Sequence, residues 1–182
     1  MRVKGITLAF FAVTDIMNMK DQKWKRFVAS ADTTRLLPAI RAVRDTVDFV
    51  VVSYHGGGEY ANRATARTRG FARDVLDGGA DLFLGHHPHV PYGIDRVGGR
   101  IAVYSLGNFV FRQPDRYWTR YSYAMAFGID RDSSGTRVGA LRALPVRAGF
   151  QPEFLSGGED AHRILERLRL LSTQEVTEHM TW

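Results

Sequence analysis

The run Ile6-Thr-Leu-Ala-Phe-Phe-Ala-Val13 is apolar and of strand length, and it predicts a buried strand. The stretch from Thr14 to Ser30 is polar with scattered aromatics and reads as a loop containing a helical turn. The period then changes. Leu36, Leu37, Ile40 and Val43 recur at helical spacing behind Asp32 and Thr33, either of which can cap, so a helix is predicted to about Asp45. Asp48-Phe-Val-Val-Val-Ser-Tyr54 is a second buried strand. A helix follows from about Ala64 to Leu76, with Phe71, Val75 and Leu76 inward and Gly78-Gly79 at its end. Asp81-Leu-Phe-Leu84 is a third strand. Strand, helix, strand, helix and strand in that order predict an α/β layer with parallel strands.

After Pro91 the texture becomes antiparallel. Tyr92 to Val97 and Ile101 to Ser105 flank Gly98-Gly99 as a hairpin. Tyr121 to Ile129 and Thr136 to Val146 form a second pair across Asp132-Ser133-Ser134-Gly135. Asp160 to Leu171 is an amphipathic helix with Ile164, Leu165, Leu168 and Leu171 on its apolar face. The polar residues beyond it are expected to fray. With no repeat and no low-complexity linker, the chain divides into one domain portion, residues 1–155, and a terminal helix with tail, 156–182.

At 182 residues there is enough chain for one ordinary domain or a large piece of a bigger one. Hydrophobic residues make up 45% and charged residues 24%, so a packed core is expected and disorder is not. No apolar run reaches the roughly 20 residues that span a bilayer, and Ile6–Val13 lacks a signal-type cleavage site. The chain as given is expected to be soluble, and an anchor upstream of Met1 stays open. The absence of cysteine removes disulfides, thiolate nucleophiles and Cys-type zinc sites, and leaves the compartment open.

The net charge of +6 suits an anionic partner: nucleic acid, anionic lipid or an acidic polymer. Arg63, Arg67, Arg69, Arg73, Arg163, Arg167 and Arg169 fall on helical stretches and read first as solvated faces. No aromatic-basic interleaving of the base-stacking kind is evident, which argues against nucleic acid.

Chemistry concentrates at two strand ends. Ser53-Tyr54-His55-Gly56-Gly57 and Gly85-His86-His87-Pro88-His89 both follow a predicted parallel strand, at the edge where loops of open α/β sheets bind ligands. His87 and His89 are two apart, and Pro88 favours an extended backbone at His87, so their imidazoles are expected to project to one side. Neutral imidazole ligates Zn, Mn, Fe or Ni. A single histidine after a strand is more often a hydrogen-bonded structural residue. Three within four residues are harder to explain by packing, because they repel on protonation unless a metal holds them neutral. The glycines after His55 allow close ligand approach. Glu59 is a general acid or base, a partner orienting a histidine, or a surface carboxylate, with the orienting role preferred. Asn108, in Ser105-Leu-Gly-Asn-Phe109, either donates to a bound anion or holds its loop. Tyr60 and Arg112 are placed to contact an anionic substrate.

Three segments together resemble one family: Val50-Val-Val-Ser-Tyr-His-Gly-Gly-Gly-Glu-Tyr60, Asp77-Gly-Gly-Ala-Asp-Leu-Phe-Leu-Gly-His-His-Pro-His-Val90 and Val103-Tyr-Ser-Leu-Gly-Asn-Phe-Val-Phe111. They are similar to the CapA family of capsule-synthesis proteins tied to poly-γ-glutamate, relatives of the calcineurin-like metallophosphoesterases. The likeness runs from about Ile6 to Pro152. It implies the C-terminal part of a four-layer α/β/β/α sandwich, and a two-metal site binding Mn, Fe or Zn. On that pattern His55 matches the isolated histidine ligand, and also a catalytic position with Glu59. His87 and His89 match the terminal His-x-His, and His86 does not. The family's earlier Gly-Asp, acidic or Asn-containing, and Asn-Asn-His motifs are absent, and would lie upstream of Met1. The implied function is metal-dependent phosphoester hydrolysis in capsule metabolism, with an acidic polymer or phosphorylated substrate. The implied partners are an N-terminal half or capsule-synthesis subunits, and the family is often membrane-associated or extracytoplasmic. The alternatives are a non-catalytic binding protein for an acidic polymer and an inactive fragment.

Overall fold

A computed structural model describes residues 1–18, 22–133 and 135–181. Ser134, in the predicted Asp132–Gly135 turn, lies outside the described residues, as do positions 19–21 of the predicted loop. The first half alternates strand and helix: β1 (Arg2–Val3), β2 (Ile6–Thr14), a 3-10 helix (Gln22–Phe27), α1 (Thr33–Arg44), β3 (Phe49–His55), α2 (Ala66–Asp77) and β4 (Leu82–His86). The second half holds β5 (Ile94–Val97), β6 (Arg100–Val103), β7 (Tyr121–Asp132), β8 (Gly135–Arg147), β9 (Glu153–Phe154), α3 (Gly158–Leu171), α4 (Gln174–His179) and β10 (Met180–Thr181). Asp32 caps α1 through the Thr34 amide, and Thr65 caps α2 through the Thr68 amide, each quenching an amide that the helix itself leaves unpaired.

Six strands form one sheet in the order β1-β2-β3-β4-β6-β5, with β2, β3, β4 and β6 parallel. Alternation along β3 sorts its side chains to two cores. Val50, Val52 and Tyr54 face α1 and α2, where Ile40, Ala72, Val75 and Leu76 pack on them. Phe49 and Val51 face the opposite way, into a core closed by the long β7–β8 hairpin and by Ile164, Leu168 and Val176 of α3 and α4. The hairpin slips register by one residue between Phe127 and Ile129, as a β-bulge does. That slip keeps Val138 on the same inward face as Leu141 and Ala143, although the three are not evenly spaced by two. The architecture is mixed α/β of the metallophosphoesterase-like kind, with helices on one side of the parallel sheet and a second sheet on the other.

Two expectations need correction. The Ile6–Val13 run is a strand but is not buried: only Val13 is, and Phe10 stands 60% exposed. Ile6 and Leu8 reach the second core, whereas Phe10, next on that face, projects past it. The C-terminal residues do not fray. Val176 of α4 and Met180 are buried, and β10 pairs in parallel with β8, so the tail is held by burial and a ladder. Polarity along the sequence hid two well-placed apolar anchors.

Candidate metal centre

β3 and β4 end side by side, with His55 in register with His86. A Cβ on Gly85 would strike the Tyr104 carbonyl, so only glycine lets β4 approach the segment leaving β6 this closely. The chain then turns. His87 and His89 are not extended as Pro88 suggested: their φ angles are +98° and +63°, in the region that side chains disfavour. Tyr60, at +55°, is another such residue, and its amide donates to the Pro88 carbonyl at 3.0 Å. This tie lashes the two glycine-bearing loops together and brings Glu59 to the histidines. Three of the four non-glycine residues with positive φ among those described therefore sit in one site, where surrounding structure must offset their strain.

One donor atom each from Glu59, His87 and His89 lies within 4.8 Å of the others. Nε2 of His89 is 3.5 Å from Glu59 Oε1, while its Nδ1 is 2.8 Å from Asn108 Oδ1. The tautomer follows from the amide. Asn108 Nδ2 donates to the Thr119 carbonyl at 2.9 Å and to Gln113 Oε1 at 3.1 Å, so its oxygen is the atom facing His89 and must accept. Nδ1 of His89 carries the hydrogen, and Nε2 is the nitrogen on the Glu59 side. The ring is also clamped between Tyr60 and Phe111, with centroids 5.5 and 5.6 Å away and both planes nearly parallel to it. Gln113 Nε2 donates to the Tyr60 hydroxyl at 2.9 Å, which closes a loop of contacts around His89.

His55 stands beside the three-donor group and not within it, its ring 4.8 Å from that of His87. Burial lowers the pKa values of His55, His86 and His87. Neighbouring imidazoles lower them further, and Glu59 opposes the effect at His87. These rings are therefore kept neutral, the form that ligates. Two imidazole nitrogens and a carboxylate oxygen suit Zn, Mn or Fe, so the donor set fits a divalent ion. Among the described residues Glu59 is the one carboxylate of the group.

The preferred sequence reading put Glu59 behind a histidine. Its carboxylate lies on the Nε2 side of His89, within the group that could hold a metal, and Asn108 lies on the Nδ1 side. Both hydrogens of the Asn108 amide are committed inside the protein. Arg112 is exposed. Gln113, Thr119, Phe111 and Arg116, whose guanidinium lies 4.3 Å from the Tyr60 ring centre, escaped the sequence reading. Nothing in their spacing links them to His89, because the link runs through a loop and a second 3-10 turn, Tyr117–Arg120.

A parallel sheet with histidines and a carboxylate gathered at its carboxyl edge defines an α/β protein with a candidate divalent-metal centre. Residues 1–113 match the family described as bacterial capsule synthesis protein PGA_cap, and the chain belongs to that family. It is 40% identical to the PGA biosynthesis protein CapA of Bacillus subtilis (strain 168) over 127 residues, which cover 65% of this chain and 31% of that protein. It is 30% identical to the capsule biosynthesis protein CapA of Bacillus anthracis over 196 aligned residues, 99% of this chain and 43% of that protein. A third relative, the uncharacterized protein y4sH of Sinorhizobium fredii (strain NBRC 101917 / NGR234), is 28% identical over 136 residues. The chain thus spans less than half the length of these curated relatives.

Proposed function

We propose that this chain acts in capsule poly-γ-glutamate metabolism and carries the histidine half of a metallophosphoesterase-type divalent-metal site. The observation behind it is the convergence of Glu59, His87 and His89 from two loops that are tied together at strained backbone positions. His87 and His89 would hold the ion, with His55 beside them for a second one, and Glu59 would serve as ligand or proton acceptor. A divalent ion bound there would polarise a phosphoryl oxygen and acidify a water. Asn108 keeps the His89 lone pair aimed at the site, and Tyr60 and Arg112 meet the anionic substrate. Further carboxylate ligands would come from an N-terminal half of the kind that the longer relatives have room for.

A second reading is a non-catalytic binding protein for an acidic polymer. It is favoured by the single carboxylate in the donor group. Aryl phosphomonoester and phosphodiester substrates with added Mn, Fe or Zn separate the two. Turnover that Glu59→Gln and His89→Ala abolish supports the hydrolase. Bound metal without turnover supports the binding role, and a folded chain that takes up no metal overturns the site itself.

A further inference from the structure

We infer that the outer edge of β2 at Phe10 and Ala12 is a docking site for an extended segment of a partner polypeptide, one that carries an apolar side chain flanked by acidic ones. In β2 the Thr7 carbonyl accepts from the Asp48 amide, and beyond the strand the Asp15 amide donates to the His55 carbonyl. The odd-numbered positions therefore serve the ladder with β3, and the even-numbered ones turn their backbone groups outward. At one end of that outer edge Leu8 exchanges two hydrogen bonds with Met1, at 2.7 and 2.9 Å. At the other end the Thr14 amide donates to Ala29 and the Thr14 carbonyl accepts from Ala31, both at 2.9 Å. Between these ends the N–H and C=O groups of Phe10 and Ala12 have no backbone partner among the described residues. The window is roughly 20 Å long, room for about five extended residues.

Open edges are ordinarily blunted by charge, proline or a bulge. Ala9-Phe10-Phe11-Ala12-Val13 has none of these: the segment is uncharged, its register with β3 is regular, and Phe10 and Ala12 are exposed. Two donors and two acceptors alternating along a strand are matched by another extended peptide backbone. A second copy of this chain does not fit, because its β2 would run into Met1–Val3 and Ala29–Ala31 at the ends of the window. Beside the window, on the α1 side, lies a groove of about 380 Å³ lined by Phe11, Val13, Phe27 and Leu36, together with Arg26 and Arg35. Alternate side chains of an added strand point into that groove, so an apolar residue seats there. Arg26 lies over the Phe27 ring, 4.8 Å from its centre, and neither Arg26 nor Arg35 forms an ion pair among the described residues. Asp32, which feels the charge of Arg35, has its carboxylate engaged by the Thr34 amide and hydroxyl. Lys25 adds positive charge on the same 3-10 helix as Arg26. The charge around the groove therefore favours acidic residues beside the apolar one.

The test titrates the isotopically labelled full chain with the end-blocked peptide Glu-Val-Thr-Val-Glu and follows the backbone amide resonances. The same peptide N-methylated at the donors that face the edge, and a poly-γ-glutamate oligomer, serve as controls. Wild type is compared with Ala12→Pro, which deletes an outward N–H that β3 does not use, and with Arg26→Gln/Arg35→Gln at exposed positions. The expected result is a Kd below about 1 mM read at Phe10 and Ala12, weakened about tenfold or more by N-methylation and by Ala12→Pro. The double arginine variant weakens it about threefold with an unchanged melting temperature. No shift at Phe10 and Ala12, equal binding of the N-methylated peptide, or the same shifts from poly-γ-glutamate would overturn the site. Self-association that perturbs these amides without peptide would overturn it as well, in favour of a second copy. If Ala12→Pro does not fold, the comparison of the two peptides on wild type decides alone.

Discussion

Nδ1 of His89 lies 2.8 Å from Oδ1 of Asn108, an amide whose two hydrogens are already given to the Thr119 carbonyl and to Gln113. A buried amide with one free acceptor fixes which nitrogen of the imidazole is protonated. Such partners behind a ligand commonly matter about as much as the ligand's own orientation. Asn108→Ala is predicted to weaken Zn or Mn binding by about 10–100-fold, measured by calorimetry. Unpairing the Thr119 carbonyl and Gln113 should also lower stability by about 1–3 kcal/mol. An affinity within about twofold of wild type would mean that the contact does not orient His89.

The depressed histidines give a pH signature. His55, His86 and His87 have folded pKa values below 6.5, chiefly through burial, so the unfolded chain binds more protons in the window beneath that value. Their contribution to stability is complete above about pH 6.5 and is lost as pH falls through the folded values. Carboxylates such as Asp15 and Asp160, held below 3.8 by their arginine partners, respond only in more acidic solution. In chelator, the melting temperature is predicted to fall between about pH 7 and pH 5, with a steeper fall when metal is present because protons compete with it. A flat profile across that interval would contradict imidazoles held neutral by partial desolvation and by one another.

Two glycines should respond in opposite directions. Gly85→Ala drives a Cβ into the Tyr104 carbonyl, a backbone atom that cannot swing aside, and is predicted to cost about 3 kcal/mol or more. Gly70→Ala, inside α2 with nothing within 4 Å of the added carbon, is predicted to stabilise by about 0.5–1 kcal/mol. Urea titrations of both variants test the difference, and equal midpoints would count against the close approach at Gly85.

The C-terminal segment supplies another test. Val176 is fully buried in the second core. Val176→Asp is predicted to lose more than about 3 kcal/mol by burying an unpaired carboxylate. A neutral effect would restore the expectation of a frayed tail.

Much of this was legible in the sequence because local pattern and tertiary role agree there. The α1 region shows helical spacing behind a capping aspartate, and β3 is an apolar run buried on both faces, so each announces itself. The histidine positions were legible as well, since strand ends in a parallel sheet gather at one edge. Other features depend on partners distant in sequence. Phe10 looks like core, yet the covering hairpin stops short of it. The positive φ of His87 and His89 arises from a turn that Tyr60 pins, against the extended preference that Pro88 alone implies. Gln113 and Arg116 join the site only because a 3-10 turn folds back beneath Asn108.

The central claim is that Glu59, His87 and His89 form a working metal site. Elemental analysis of the chain after Mn or Zn loading and desalting, set against His87→Ala/His89→Ala, tests it most directly. The account predicts near-stoichiometric metal in wild type and its loss in a double variant that remains folded. A well-folded wild type without metal, or a double variant that keeps it, would contradict the account.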